Sequence, residues 1–269
     1  NLSPLPNFEL APTDEPPPPP PPVSSLPLHT GTNLLANGGF EGATYRHPLY
    51  ISDLLPDKWI IDLVGDGNLP EPNPNTDNPQ PWYPPEIVVM EDWRLTDDIK
   101  PIPEGTHLLH AFKGFGPMWF RMAQSVSLVA GNYKLYADVF LDPIDHYNGS
   151  VKVRPQSADG YLASEFALGS DTLGTGWLDG RAIPFGQWMR VEKTFTASSP
   201  RDVKLWFMGR GRWGLQHNGL FVDNLWLEKV GDVPAVPFVN FTADSTLLNL
   251  GECTTLRWDS DNILDLHLD

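Results

Sequence analysis

The stretch from Trp188 to Leu227, WMRVEKTFTASSPRDVKLWFMGRGRWGLQHNGLFVDNLWL, limits what this chain can fold into more than any other part. Its apolar and polar residues alternate, and a period of two puts one set of side chains on a core face and the other on the opposite face of a strand. The stretch therefore reads as three β-strands in a row, the last carrying Asp223 and Asn224. Near the other end of the same segment, NLLANGGFEG (Asn33 to Gly42) places Glu41 just after a Gly-Gly turn. An acid on the first strand and another on the last predict that these strands lie side by side, with both acids near one cation.

Composition fits an all-β chain. Twenty-nine prolines and 23 glycines accompany 41% hydrophobic residues, and Pro and Gly end strands and occupy tight turns. Helical periodicity is nearly absent. The formal charge of −16 argues against nucleic acid, because a phosphate backbone needs clustered Lys and Arg to displace its counterions. Cys253 is the single cysteine, so no intrachain disulfide forms. No run reaches the roughly 18 apolar residues of a membrane span. The chain opens on Asn1 rather than Met, which reads as a processed secreted protein or a trimmed one. Asn1, Asn148 and Asn240 begin glycosylation sequons.

Three regions are expected. Residues 1–31 form an arm: Pro16 to Pro22 are an unbroken proline run, which favours a stiff extended helix rising about 3.1 Å per residue. The arm is either a spacer or a donor of NFEL (Asn7 to Leu10) to an open sheet edge of another copy. Residues 32–231 are the main β domain. Its expected strands are Asn33 to Leu35, Trp59 to Leu63, Glu86 to Met90, His107 to Phe112, Trp119 to Leu128, Gly131 to Leu141, Ser150 to Pro155, Gln187 to Ala197, Asp202 to Met208 and Gly219 to Val230. A long Pro- and Asn-rich loop from Gly65 to Pro85 carries Trp82 and Tyr83. Residues 232–269 change composition again.

From Asn33 to Val230 the chain resembles the calcium-stapled β-jelly-roll carbohydrate-binding modules. NLLANGGFE at the start, QSVSLVAGNYKLYADVF (Gln124 to Phe140) in the middle, and TFTA, VKLWF and GLFVDNLWL at the end carry the likeness in order. The resemblance implies a jelly-roll β-sandwich with a structural Ca²⁺ held by Glu41 and Asp223. It further implies backbone ligands from the loop holding EGTH, at Gly105 or His107. It also implies a non-catalytic, extracellular or cell-surface module whose partner is a polysaccharide or glycan. Residues 232–269 resemble the opening strands of an immunoglobulin-like module, with Cys253 and Trp258 on the second strand, at about a third of the ~100 residues such a sandwich takes.

Strand alternation nominates the sugar-binding side chains. It turns Tyr133, Leu135, Ala137 and Val139 inward and Tyr136 and Asp138 outward. It likewise turns Trp206 outward from Val203, Leu205 and Phe207, and Arg154 outward from the Ser150 strand. On one sheet these give a platform of Tyr136, Trp206, Asp138 and Arg154, rimmed by Trp82 and Trp93, with Trp59, Trp119 and Trp213 also available. Aromatic faces can stack on pyranose C–H groups while polar side chains read hydroxyls. No HExxH, GxSxG or P-loop is present, so no enzyme is expected. Acid clusters at Glu91–Asp92, Asp97–Asp98 and Asp142/Asp145 remain as solvated loops, further cation sites or a hydrolytic pair. The alternative function is a structural subunit of an extracellular fibre or sheath, assembled by strand donation from the arm or from the partial module.

Overall fold

The computed structural model describes residue 26 and residues 31–47, 53–63, 81–233, 238–245 and 247–261. The arm placed on residues 1–31 lies outside these residues except for Leu26 and Gly31, as does most of the Gly65–Pro85 loop. In chain order the strands are β1 (Thr44–Arg46), β2 (Leu54–Pro56), β3 (Ile60–Leu63), β4 (Glu86–Glu91), β5 (His107–Lys113), β6 (Met118–Leu128), β7 (Gly131–Ile144) and β8 (His146–Asn148). They continue as β9 (Val151–Val153), β10 (Glu165–Ser170), β11 (Leu173–Gly174), β12 (Trp188–Ala197), β13 (Arg201–Gly211), β14 (His217–Gly231), β15 (Phe238–Ala243) and β16 (Leu256–Asp261).

Two sheets face each other as a β-sandwich. The first runs β1-β2-β4-β5-β14-β7-β12 and the second β11-β10-β13-β6-β3. Between them lies one main core, to which β7 contributes Tyr133, Leu135, Ala137, Val139 and Leu141, and β13 contributes Leu205 and Phe207. Phe207 meets Trp59 edge-on at 5.5 Å and Phe166 at 6.1 Å between ring centroids. The period-two pattern thus gives the inward face of both strands correctly. Among the described residues no helix is long and apolar enough to cross a membrane.

The opposite face of the first sheet is not open across its middle. The segment after β4, which contains a short 3₁₀ turn at Asp92–Arg94, lays Leu95 and Ile99 over Leu108, Phe140, Trp188 and Phe221 in a second apolar cluster. Trp188 Nε1 donates to the Ile99 carbonyl at 2.8 Å, fastening that cover. Here alternation fails as a guide to exposure, because both faces of β7 are buried.

Closure of the sandwich runs along β14. Leu34 N–H donates to the Leu227 carbonyl at 2.8 Å, and Leu225 N–H to the Gly38 carbonyl at 3.0 Å. The Asn33 side chain both accepts from Leu227 N–H and donates to the Leu225 carbonyl. The first expected strand is therefore a strap without regular ladder geometry, yet it does lie beside the last strand. Gly38 is required there, since a Cβ would sit 2.0 Å from the Leu225 carbonyl oxygen.

The structure adds strands that the sequence reading lacks, β10 above all. All six of its residues are buried, so it shows no alternation. Its Glu165 is nearly inaccessible and accepts from Arg210 Nε at 2.7 Å and Arg212 Nε at 2.6 Å. Trp177 lies over the Arg210 guanidinium, 3.9 Å from ring centroid to carbon. The expected Ser150–Pro155 strand is shorter, and β8 and β9 form a separate hairpin. β15 and β16 pair antiparallel as a further two-stranded ladder, with Trp258 opposite Phe241. Cys253 is exposed and precedes β16 rather than lying on it.

Phe207→Ala should lower the unfolding free energy by about 3–5 kcal/mol in a urea titration, the loss for a core aromatic. Trp206→Ala, one residue along and on the outward face, should cost less than half of that. Equal losses would put Trp206 in the core.

Candidate functional site

The expected aromatic platform does not assemble. Tyr136 and Asp138 lie on β7 of the first sheet and Trp206 on β13 of the second, so they face away from each other on opposite sides of the sandwich. Alternation reports which face of its own strand a residue occupies and says nothing of which sheet the strand joins. Tyr136 is only 3% exposed; it lies beside Trp226, with parallel rings 6.4 Å apart, and the Arg190 guanidinium sits 5.0 Å from its ring centroid. Asp138 is fully buried and takes two bonds from Arg190 at 2.8 Å and one from Asn224 Nδ2 at 3.0 Å. These contacts make Asp138 a structural partner rather than a reader of ligand hydroxyls. Arg154 is turned onto buried Asp142 at 2.5 Å, beside Lys152, and so docks the β8–β9 hairpin on the first sheet. Among the rim tryptophans, Trp59, Trp82 and Trp119 are buried, while Trp93 is 69% exposed and donates to Glu91.

Glu41 and Asp223 do come to one place. The segment Glu104–His107 caps both acids: Glu104 N–H donates to Asp223 Oδ2 at 3.1 Å, and Thr106 and His107 N–H donate to Glu41 Oε1 at 2.6 and 2.7 Å. The His107 ring adds a 2.7 Å contact to Glu41 Oε2. Gly105 has φ +64°, and a Cβ there would sit 2.1 Å from Glu41 Oε1, so only glycine fits. A cavity of about 110 Å³ lies among Gly39, Glu41, Glu104, Gly105, Asn224 and Trp226.

The two acids differ electrostatically. Burial on its own raises Glu41, but the donors from Thr106 and His107 outweigh it and hold the carboxyl below its ordinary value. Asp223 is fully buried, and burial pushes its carboxyl well above the ordinary range. Amides of Asn224 and Glu104 offset part of that, while the nearby charges of Asp138 and Glu104 add to it. Among the described residues no three His, Cys, Asp or Glu side chains converge as a metal group.

A larger groove of about 450 Å³ opens where β7 and β13 end. Its apolar walls come from Pro155, Ala163, Trp213 and Leu215, and its polar walls from Asp145, Gln156, Ser157 and Asp159. Ser157 caps the short 3₁₀ helix Ala158–Leu162 by accepting from Gly160 N–H. Buried Asn218 fixes the other wall, donating to the carbonyls of Trp213 at 2.7 Å and Gly116 at 2.9 Å. Trp213 Nε1 is shielded and has no hydrogen-bond partner among the described residues. Phe115 N–H is bonded to the Leu215 carbonyl, and the Phe115 ring stands 77% exposed at φ +55°, a conformation a bulky residue adopts only under constraint. Sequence reasoning had Trp213 only as one of several available rings. The Pro155–Ala163 wall carries no periodic or motif signal and could be found only in three dimensions.

No family model matches the chain, and no curated protein matches it. Several solved structures align with much of its length. The carbohydrate-binding module TmCBM61, in complex with β-1,4-galactotriose, is 14% identical over 74% of this chain and 99% of its own, with a TM-score of 0.45. A cyclase from Fischerella sp. TAU in complex with 4-(1H-indol-3-yl)butan-2-one is 15% identical over 73% and 96%, TM-score 0.44. The enzymatically active domain of bacteriophage CBA120 tailspike protein 4 is 8% identical over 74% and 21%, TM-score 0.40. Since the three differ in chemistry and none reaches a TM-score of 0.5, what this chain binds has to be read from its own residues.

Asp223 supplies a pH test. Its raised folded-state pKa means that the native state holds the proton more tightly than the unfolded chain does. Its stability cost is therefore absent below the ordinary value of 3.8 and grows as pH rises toward the folded-state value. In chelator, Asp223→Asn should melt higher than wild type at pH 7, with the gap closing toward pH 4. A variant that melts lower at pH 7 would mean that the carboxylate is neutralised by other means.

Proposed function

We propose that this protein is a non-catalytic carbohydrate-binding β-sandwich of the extracellular space or cell surface. Its site is the groove between Trp213 and the Pro155–Asp159 wall. The observation that supports this most directly is the groove's composition: one aromatic and three aliphatic side chains face two carboxylates, an amide and a hydroxyl. A sugar ring presents the matching pattern, with C–H faces that stack on an indole and hydroxyls that donate to acceptors. Two carboxylates and no Lys or Arg on these walls favour a neutral glycan over an acidic one. The apolar and polar groups here are arranged for adsorption, with affinity raised by repetition along a polymer.

A structural Ca²⁺ near Asp223 belongs to the same proposal. The donor set fits a hard cation: a buried carboxylate that, among the described residues, accepts two backbone N–H bonds, with Glu104, Glu41 and Asn224 around an adjoining cavity. Ca²⁺ takes six to eight oxygens, so backbone carbonyls would have to complete the shell. When bound, the ion would neutralise Asp223 and fasten the Asn33–Glu41 strap to β14; Gly105 gives Glu41 its room. His107 contacts Glu41 through its N–H and ring, so its part is to orient that acid.

Trp213→Ala should weaken binding to neutral polysaccharides by about tenfold or more in affinity electrophoresis, the loss expected for a stacked ring. Gln156→Ala, which leaves the apolar wall intact, should weaken it less while preserving the melting temperature. Retained binding in both variants would move the site elsewhere.

Melting in Ca²⁺ and in EGTA tests the ion. Wild type should gain stability with free Ca²⁺, by about 2.7 kcal/mol at a hundredfold excess over the dissociation constant, and Asp223→Ala should not respond. Coincident curves for wild type in both buffers would remove calcium from this account.

A further inference from the structure

A second groove, of about 410 Å³, opens at the opposite end of β13. Ten residue steps separate Arg201 from Gly211, so the two ends of the strand are about 33 Å apart at about 3.3 Å per residue. This groove is the mouth between the sheets: Phe195 of β12 closes one side, and Val203 of β13 with Leu173 of β11 closes the other. Phe195 is half-buried, stacks on Tyr133 at 5.5 Å and packs against the main core. Its remaining surface forms an apolar floor, with Ser170, Thr172 and Thr196 also lining the groove.

Charge distinguishes it from the first groove. Most basic side chains of this acidic protein are neutralised where they stand: Arg190 by Asp138, Arg210 and Arg212 by Glu165, Lys152 and Arg154 by Asp142. Arg201 and Lys204, both on this groove, have no carboxylate partner among the described residues. Among the described residues the Arg201 side chain makes one hydrogen bond, from Nη2 to the Thr196 carbonyl at 3.2 Å. Lys193, two residues before Phe195 on the same face of β12, is likewise unpaired among the described residues. The groove also has two acids. Asp202 is engaged by Ser127 of β6 at 2.6 Å, and Asp171 stands exposed in the β10–β11 turn. Two bases and two acids therefore line the groove, in a chain whose acids outnumber its bases 34 to 18.

We propose that this groove is a second binding site, for a carboxylate-bearing sugar, namely a uronic acid residue of an acidic polysaccharide. Its ring lies on Phe195 and its carboxylate is taken by Arg201, while Lys204, on the outer face of β13 with Trp206, adds its charge from the rim. A guanidinium matches a carboxylate with two parallel N–H donors, and the lysine adds a point charge. With two carboxylates and no base in the groove at one end of β13, and two bases in the groove at the other, a single sandwich can bridge a neutral chain and an acidic one. The second site does not depend on the ligand assigned to the first.

The test is calorimetry on the full chain with an oligogalacturonate and its methyl ester. The free acid should bind, and the ester should bind about tenfold or more weakly, because esterification removes the charge and keeps the ring. Arg201→Gln/Lys204→Gln should lose about as much at an unchanged melting temperature, and Lys204→Gln alone should show a smaller loss should the double variant melt early. Trp213→Ala should leave uronate binding intact, which separates this site from the first groove. Absence of binding, equal binding of acid and ester, or an unaffected double variant would overturn the proposal. So would a sulfated oligosaccharide of the same length binding as tightly, since that would make the groove a general anion site.

Discussion

β14 is hydrogen-bonded along both edges, and the rest of the sandwich is arranged around that. Its full length pairs with β7, its first half with β5, and its second half with the strap that begins at Asn33. Buried backbone polar groups must be paired or they carry a desolvation cost, and the strap satisfies what β5 leaves open. The Asn33 side chain supplies an acceptor and a donor as a backbone amide would. Where the pairing changes hands, between Asp223 and Trp226, the ladder with β7 shifts register, and Asn224 takes φ +49°. The buried acid and its capping segment sit at that irregularity, at the seam of the fold.

Buried charge is handled differently in different places. Asp138, Asp142 and Glu165 each face at least one guanidinium at hydrogen-bond distance, and removing such a guanidinium would leave an uncompensated buried carboxylate. Among the described residues Asp223 faces only amides and sits near other acids. That contrast within one protein gives the Asp223 corner its chemical interest, because a carboxylate that the fold does not neutralise is a natural partner for a cation from solution.

The two end grooves follow from the same architecture. A sandwich keeps its middle for packing, and here even the outer face of the first sheet is covered by Leu95 and Ile99. Open concave surface with mixed polarity is left at the strand ends, where loops add side chains without disturbing the ladders. One end received Trp213 with two carboxylates and the other Phe195 with Arg201 and Lys204. Their different charge comes from Asp145 and Asp159 at one end and from the first residues of β13, Arg201 and Lys204, at the other, and the strand between them sets the distance.

The sequence by itself determined the all-β class, most of the long strands, the inward faces of β7 and β13, and the approach of Glu41 to Asp223. The first three are local properties, because a period of two is written in neighbouring residues, whereas the approach of Glu41 to Asp223 was legible only from one acid placed on each of the two end strands and from the resemblance. Only the tertiary structure decided that Tyr136 and Trp206 belong to different sheets, that β10 is buried on both faces, and that Asp138 and Arg154 are spent on Arg190 and Asp142. Strand partnership is a long-range choice made by the whole core, so a residue's face can be legible while its neighbours are not. Both grooves are assembled from segments far apart in the chain, Pro155 with Trp213 and Leu173 with Phe195 and Arg201. Their chemistry appears only once the two sheets have closed.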